Sequence, residues 1–265
     1  MNDYTPRAGL DTVCAALAGI CGVSAPAQAA PANEALLGYA AGRRADRLFM
    51  YDPDAVAQWI WDRYPSLFGE VRRLPLQLPL TSVMPSVTPV CFATLYTGAL
   101  PRVHGITKYE KPVVQTPSLF DAFIAAGKRC AIVADTDSSM SRLWLEKDMD
   151  YYVYDTLSEV NARAMELICR DEHDFIAVYN GNYDALMHKT GPESLEALAE
   201  ARANSAVFGE FVSLIRSRWQ GHDTLAGFAM DHGCHLIDAG CGSHGLDMPE
   251  DMDIVHSYEF IERKL

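Results

Sequence analysis

The regular alternation of short apolar runs with segments of helical periodicity is the feature of this chain that most constrains its fold. The apolar runs at 47–51, 130–134 and 175–179 have the length of buried strands, and segments with apolar residues every three or four positions separate them. Alternation of this kind is typical of a sheet whose connecting helices pack on both of its faces. We therefore predict a doubly wound, mostly parallel α/β sheet with helices on both faces.

The predicted elements cover most of the chain. Helices are predicted at 10–20, 56–64, 88–96, 119–124, 157–170 and 193–219, and strands at 47–51, 130–134, 151–154, 175–179 and 225–230. The proline-rich segment 75–89 is predicted to be a linker. Because no internal repeat and no change of composition marks a boundary, we predict a single domain, 1–265.

The composition narrows the set of partners. The chain has 35 acidic and 22 basic residues, and its formal charge of -13 disfavours duplex nucleic acid and anionic membranes as partners. No apolar run approaches the roughly 18 residues that a membrane span needs. The stretch 8–30 weakly resembles a secretory signal, but Asp11 interrupts it, so we expect a cytoplasmic protein, with export as the alternative. Seven cysteines without a Cys-x-x-Cys pair argue against a disulfide framework.

Acidic residues and histidines follow the predicted strands at the points where these strands end. In open α/β sheets, ligands bind beyond the carboxyl ends of the strands. Carboxylate and imidazole ligands without paired thiolates suit a catalytic Zn²⁺ or Mn²⁺ site better than a structural zinc site. The candidate ligands are Asp52 or Asp54 after the first strand, Asp184 and His188 after 175–179, Asp231 and His232 after 225–230, and His244 in a glycine-rich loop.

Each of these signals has a simpler interpretation. Asp184 and His188 share a face if their segment is helical, but an Asp and a His at that spacing are usually a solvated surface pair. Asp231 and His232 are also compatible with an ordinary turn. The occurrence of such residues at three strand ends favours the metal site.

Thr88 is the candidate nucleophile. It precedes a predicted helix, and a helix N-terminus attracts anions such as phosphate. The alternative is that Thr88 is only the N-cap of that helix. On residue type alone, Ser86 and Thr94 are rivals.

The segment 84–106, MPSVTPVCFATLYTGALPRVHGI, resembles the nucleophile segment of the alkaline phosphatase superfamily, most closely its type I phosphodiesterase/nucleotide pyrophosphatase branch. In that branch the nucleophilic threonine stands nine positions before a Thr-Gly pair and sixteen before a His-Gly pair. Thr97-Gly98 and His104-Gly105 occupy those positions relative to Thr88. The resemblance therefore implies that Thr88, rather than Ser86 or Thr94, is the nucleophile.

The resemblance also implies a two-metal site, with Zn²⁺ preferred and Mn²⁺ as the alternative. Asp184 to His188 is similar to the family's Asp-x-x-x-His motif, 231–233 to its Asp-His-Gly, and 244–245 to its last metal histidine. The family's first metal Asp directly follows a strand, which favours Asp52 and leaves Asp54 in reserve. The implied ligands are Asp184, His188 and His244 for one ion, and Asp52, Asp231, His232 and the Thr88 oxygen for the other.

One position departs from the family pattern. The phosphodiesterases carry an Asn twenty-one positions after the nucleophile to bind phosphate, and Tyr109 stands there in this chain. We expect Lys108 and Tyr109 to bind substrate instead, with Lys111 as a further candidate, which slightly favours a monoester.

The predicted function is hydrolysis of a small-molecule phosphoric mono- or diester through a phospho-threonine intermediate. The alternatives are a phosphomutase, a phosphonate hydrolase, or an inactive metal-binding regulator. The sequence leaves the oligomeric state open.

Overall fold

Eight strands form one mixed sheet in the computed structural model, which describes residues 7–237 and 240–264. Residues 1–6, 238–239 and 265 of the predicted domain lie outside the described ranges. In spatial order the strands are β1 (Ala8–Gly9), β3 (Leu76–Thr81), β10 (Asp253–Ile261), β7 (Thr224–Ala229), β2 (Arg47–Pro53), β6 (Phe175–Asn180), β4 (Cys130–Asp135) and β5 (Asp150–Tyr154). Two short strands, β8 (His235–Leu236) and β9 (Gly242–Ser243), pair separately as an antiparallel hairpin.

The sheet is mostly parallel, as the alternation predicts. The neighbouring strands β7, β2, β6, β4 and β5 all run in the same direction. Strand β10 is antiparallel to both of its neighbours, β3 and β7. The carboxyl ends of the parallel strands therefore meet along one edge, where ligands are expected.

Helices connect the strands, and the helices predicted from the sequence are confirmed with small changes of their ends. The helix Thr88–Thr97 has Gly98 as its C-cap, whose φ of 67° is the left-handed conformation that commonly terminates helices. The helices are α1 (Thr12–Cys21), α2 (Glu34–Ala40), α3 (Gln58–Arg63), α4 (Gly69–Arg72), α5 (Thr88–Thr97), α6 (Pro101–His104), α7 (Leu119–Ala125), α8 (Ser139–Leu143), α9 (Leu157–Arg170), α10 (Asn182–Thr190), α11 (Leu195–Arg218) and α12 (Pro249–Met252), with a 3₁₀ turn at Pro65–Phe68.

The central strand β2 has a helix packed on each face. The ring of Phe49 lies 5.2 Å from that of Phe211 in α11. On the opposite face, Asp52 accepts a 2.6 Å hydrogen bond from Tyr96 of α5. Every residue of β2 is buried, as expected for a strand covered on both sides.

The prediction of a linker over 75–89 is wrong for its first part, because Leu76–Thr81 forms strand β3. Pro79 led to that prediction, since proline cannot donate a backbone hydrogen bond. Among the described residues, β1 pairs with β3 only at Leu80 and Thr81, so Pro79 has no paired neighbour on that side. A proline is tolerated in such an edge position.

Two further observations concern the chain as a whole. Among the described helices, none is both long enough and apolar enough to cross a membrane. All seven cysteines are free thiols.

Candidate metal centre

Six carboxylate and imidazole side chains gather in two groups at the carboxyl edge of the sheet. Within each group the candidate ligand atoms lie within 4.8 Å of one another. The rings of His232 and His244, one from each group, have centroids only 4.3 Å apart. We call the groups cluster 1, formed by Asp184, His188 and His244, and cluster 2, formed by Asp54, Asp231 and His232.

Cluster 1 is assembled by one helical turn and one loop. Asp184 and His188 are four residues apart on α10, so they share a face, as their spacing predicts. Oδ1 of Asp184 lies 3.2 Å from Nε2 of His188 and 3.4 Å from Nε2 of His244. Gly245, with φ of 105°, turns the chain directly after His244 in a conformation that favours glycine.

Cluster 2 lies deeper in the protein, and all three of its residues are buried. Asp231 and His232 leave the sheet after β7, and Asp54 follows β2. Nε2 of His232 lies 3.4 Å from Oδ1 of Asp54 and 3.3 Å from Oδ2 of Asp231.

The preference for Asp52 as the first metal ligand is not met by this geometry, because Asp54 occupies the place in cluster 2. Strand β2 continues to Pro53, two residues further than predicted, so Asp52 still lies inside the sheet. Its Oδ2 accepts a hydrogen bond from Tyr96 at 2.6 Å. Two residues advance a strand by about 6.6 Å, which brings Asp54 rather than Asp52 to the edge.

Thr88 is the first residue of α5, and its hydroxyl faces cluster 2. Oγ1 lies 3.3 Å from Oδ2 of Asp54 and 3.3 Å from Nε2 of His232. The N-cap of the helix is Val87, so the interpretation of Thr88 as a cap does not apply. Of the two rivals, the Ser86 hydroxyl donates to the carbonyl of Leu246, and Thr94 pairs with His104.

The three cluster histidines are oriented by main-chain carbonyls. Nδ1 of His188 donates to the carbonyl of Gly242 at 3.0 Å, and Nδ1 of His244 donates to that of Ser86 at 3.1 Å. Nδ1 of His232 donates to its neighbour Gly233 at 2.9 Å. Where a ring is neutral, this leaves its Nε2 as a bare acceptor that presents a lone pair to the cluster. Metal-binding histidines are held in the same way.

The carboxylates lack protein partners that would neutralise them. Oδ1 of Asp184 and Oδ2 of Asp231 are buried and have no hydrogen-bond partner among the described residues. The ion pairs found at Asp54, Asp184 and Asp231 in the described ranges are to histidines, not to lysine or arginine. Buried charges are normally paired or bound to metal, so this donor set fits divalent cations.

Burial controls protonation in cluster 2. It raises the pKa of Asp54 well above its usual value, and the charges of Asp231 and Asp184 raise it further. Burial also raises the pKa of Asp231 well above its usual value. Burial, followed by the charge of His244, lowers the pKa of His232 to about 3. His232 is therefore neutral near pH 7, which is the form that binds metal.

Of the predicted substrate-binding residues, Lys108 is paired with Glu110 at 3.3 Å. Tyr109 is 60% exposed. Burial raises the pKa of Tyr109, and the charges of Asp54 and Asp184 raise it further. The Lys111 ammonium donates to the carbonyl of Asp137.

Sequence reasoning missed Tyr179, whose hydroxyl donates to Oδ2 of Asp54. It lies next to the last residue of β6, beside β2 in the sheet. Its position near a strand end was a signal, but tyrosine in an apolar strand is usually a core residue.

Comparison with known proteins gives a structural likeness only. Neither a protein-family profile nor a curated protein matches the sequence. The human ectonucleotide pyrophosphatase/phosphodiesterase 5 structure is 12% identical with a TM-score of 0.63, over 82% of this chain and 90% of that chain. The mouse protein in complex with AMP is 14% identical with a TM-score of 0.59, over 73% of this chain and 59% of that chain.

A phosphonoacetate hydrolase from Sinorhizobium meliloti, in complex with phosphonoacetate, is 17% identical with a TM-score of 0.55, over 74% of this chain and 59% of that chain. This chain thus spans about three-fifths of the length of the mouse and Sinorhizobium structures. These proteins belong to the alkaline phosphatase superfamily, and this chain has their fold. The resemblance predicted from the sequence is confirmed at the level of the fold.

Proposed function

We propose that this chain is a metal-dependent hydrolase of phosphoric esters in which Thr88 is the nucleophile. The observation that carries the proposal is the position of the Thr88 hydroxyl, 3.3 Å from Asp54 and 3.3 Å from His232 at the start of α5. A hydroxyl nucleophile beside carboxylate and imidazole side chains that can hold metal ions is an arrangement suited to phosphoryl transfer. The fold shared with a phosphodiesterase and a phosphonate hydrolase supports it.

Two divalent cations fit the two clusters, with Zn²⁺ preferred for the carboxylate and imidazole ligands and Mn²⁺ as the alternative. Asp184, His188 and His244 would hold one cation, and Asp54, Asp231 and His232 the other. When bound, such cations lower the pKa of a neighbouring hydroxyl and neutralise charge on the transferring phosphoryl group.

The protein's own residues position the nucleophile. The Thr88 hydroxyl donates a hydrogen bond to Asp54, and this contact orients the hydroxyl. Thr88 is only 2% exposed, and its place at the N-terminus of a ten-residue helix favours an anion there.

The reaction has two displacements. In the first, Oγ1 of Thr88 bonds to phosphorus as the bond to the leaving alcohol breaks, and the proton of the Thr88 hydroxyl leaves with the alcohol. In the second, water bonds to the phosphorus of phospho-Thr88 as the bond to Oγ1 breaks, which releases phosphate or a monoester, and one proton of the water passes to Oγ1 of Thr88.

A phosphonate hydrolase is the second candidate, because the likeness to the phosphonoacetate hydrolase extends over 74% of this chain. In that reaction a phosphorus–carbon bond would break instead of a phosphorus–oxygen bond. A small molecule is the expected substrate in either case. The mouse structure in complex with AMP makes nucleotides a reasonable starting set.

The test is a comparison of the metal-free and Zn²⁺- or Mn²⁺-loaded protein on 4-nitrophenyl phosphate, bis(4-nitrophenyl) phosphate and phosphonoacetate. We expect the loaded protein to hydrolyse at least one ester, and chelation to abolish the activity. A loaded and folded protein that cleaves neither ester would contradict the proposal. Cleavage of phosphonoacetate alone would support the second candidate, and no turnover at all would support a metal-binding regulator.

A further inference from the structure

Asp251 of α12 makes contacts with the loop that carries ligands of both clusters. The loop leaves β7 with Asp231 and His232, forms the β8–β9 hairpin, and returns with His244 directly after β9. We call its described residues, 231–237 and 240–246, the ligand loop. His232 precedes the hairpin and His244 follows it, so the geometry of this loop relates cluster 1 to cluster 2.

Three hydrogen bonds connect Asp251 to the two arms of the ligand loop. On the outgoing arm, its Oδ1 accepts from Nδ1 of His235 at 2.8 Å, and its carbonyl accepts from the backbone N–H of Gly233 at 2.8 Å. On the returning arm, its Oδ2 accepts from the backbone N–H of Leu246 at 2.8 Å. Each carboxylate oxygen is therefore committed to a different arm.

These contacts lie close to the ligands in the chain. Gly233 directly follows His232, and Leu246 is two residues after His244. The outgoing arm also packs tightly on α12, because a Cβ atom at Gly233 would collide with the carbonyl of Glu250. Movement of Asp251 would therefore displace both arms of the ligand loop next to His232 and His244.

The burial of Asp251 sets it apart from an ordinary loop-capping residue. Its side chain is fully buried, and its ion pair in the described ranges is to His235 rather than to a lysine or arginine. A buried carboxylate without a permanent positive partner carries a large desolvation cost. The hydrogen bonds to both arms offset that desolvation cost. Replacement of Asp251 would therefore remove contacts that hold both arms in place.

We infer that Asp251 is a positioning residue that fixes the separation of the two cation sites. The inference rests on the proposed function, because it assumes that both clusters bind metal. Asp251 touches neither cluster, and it acts through Gly233, His235 and Leu246 on the histidines beside them.

The experiment uses Mn²⁺, whose spins report how close two bound ions lie. Wild type, Asp251→Ala and Asp251→Asn are titrated with Mn²⁺ by equilibrium dialysis, and their electron paramagnetic resonance spectra are recorded at two equivalents. Asp251→Ala is expected to bind at least one ion roughly 10- to 100-fold more weakly, as other losses of outer-shell support do, and to lose the spin-coupled signal.

Asp251→Asn is the conservative variant. Its amide oxygen can accept from Leu246 while its NH₂ donates to Nδ1 of His235, so we expect it to keep most of the coupled signal. Ser118→Ala is the matched control, because Ser118 caps the distant helix α7 and its loss lowers stability without touching the ligand loop. The control should keep both ions and the wild-type spectrum.

The outcomes separate the inference from the proposed function. If wild type binds two ions neither as Mn²⁺ nor as Zn²⁺, the proposed function is contradicted. If wild type binds two and folded Asp251→Ala gives the same affinities and spectrum, the inference alone is overturned. Should Asp251→Ala fail to fold, His235→Ala decides: it removes one of the three contacts, and an unchanged spectrum overturns the inference while a weakened coupling supports it.

Discussion

The Nε2 atoms of His188 and His244 face each other at 3.1 Å, although Nδ1 of each ring already donates to a main-chain carbonyl. In neutral rings these Nε2 atoms are both acceptors, so the pair is unfavourable unless a proton or a metal ion lies between or beside them. Oδ1 of Asp184 points to the same place. This relationship supports the proposal that cluster 1 binds a cation.

Asp54→Asn should abolish binding of one cation, whereas Asp52→Asn should keep both. Asp54 lies in cluster 2, while Asp52 accepts a hydrogen bond from Tyr96 that an asparagine oxygen can also accept. Equilibrium dialysis of Zn²⁺ measures the stoichiometry of both variants. Loss of a cation in Asp52→Asn but not in Asp54→Asn would show that Asp52 is the ligand, as the sequence pattern favours.

Metal-free Asp54→Asn should also be more stable than the metal-free wild type. Burial raises the pKa of Asp54, so its charged form is unfavourable in the fold without metal. Removing this buried charge, which the charges of Asp231 and Asp184 disfavour, should increase the free energy of unfolding. Urea unfolding in the presence of a chelator measures this difference, and a clear loss of stability would argue against charge repulsion in cluster 2.

Tyr179→Phe should weaken metal binding by roughly tenfold, the lower end of the effect of losing an outer-shell partner. The Tyr179 hydroxyl donates to Asp54 and fixes the orientation of that carboxylate. Tyr51→Phe is the matched control, because the Tyr51 hydroxyl bonds to Asn204 and Asn180 rather than to a cluster residue. Equal metal affinities in the two variants would show that Tyr179 does not support metal binding.

We predict that the burial of His256 makes the protein less stable in acid. It is fully buried, and burial lowers its pKa to about 4, below the value of about 6.5 expected in the unfolded chain. The neutral ring therefore contributes stability that is fully present above pH 6.5, declines as the pH falls towards 4, and amounts to about 3 kcal/mol.

Urea unfolding of metal-free protein at pH 7 and pH 4 tests this by comparison with His256→Gln, whose amide can still donate to the carbonyl of Met230. Wild type should lose about 3 kcal/mol more between these values than the variant does. Equal losses would mean that His256 does not contribute to the acid sensitivity.

The sequence predicted the sheet and its five parallel strands because most of these strands are buried on both faces and read as continuous apolar runs. It did not predict β3, because proline is unusual within a strand and Pro79 lies in the middle of it. The pairing that makes Pro79 acceptable is known only from the folded structure. The preference for Asp52 over Asp54 depends on a related feature. A difference of two residues in where β2 ends decides which carboxylate reaches the edge, and strand ends are poorly encoded in local sequence.

The candidate ligands in the motifs could be found from the sequence, but their orientation could not. The carbonyls of Gly242 and Ser86 that hold His188 and His244 belong to residues whose side chains carry no metal-binding signal. Asp251 and Tyr179 act through contacts distant in sequence, 16 residues from His235 and 125 from Asp54. Such long-range support becomes visible only in the folded chain.

Thr88→Ala should reduce hydrolysis by at least about 10³-fold, because removal of a nucleophile eliminates the covalent route. Thr88→Ser should keep part of the activity, since it keeps a hydroxyl at the start of α5. Thr94→Val is the matched control within the same helix: it loses a hydrogen bond to His104 but no group near the clusters. Steady-state kinetics on the ester that the wild type cleaves best measures all three.

The most direct test of the central claim is detection of phospho-Thr88. Metal-loaded wild type is mixed with its aryl ester, quenched in acid during turnover, digested, and analysed by mass spectrometry. The account predicts a phosphoryl group on the peptide that contains Thr88, absent from Thr88→Ala and absent after chelation. Rapid hydrolysis without modification of that peptide, together with undiminished turnover by Thr88→Ala, would contradict it.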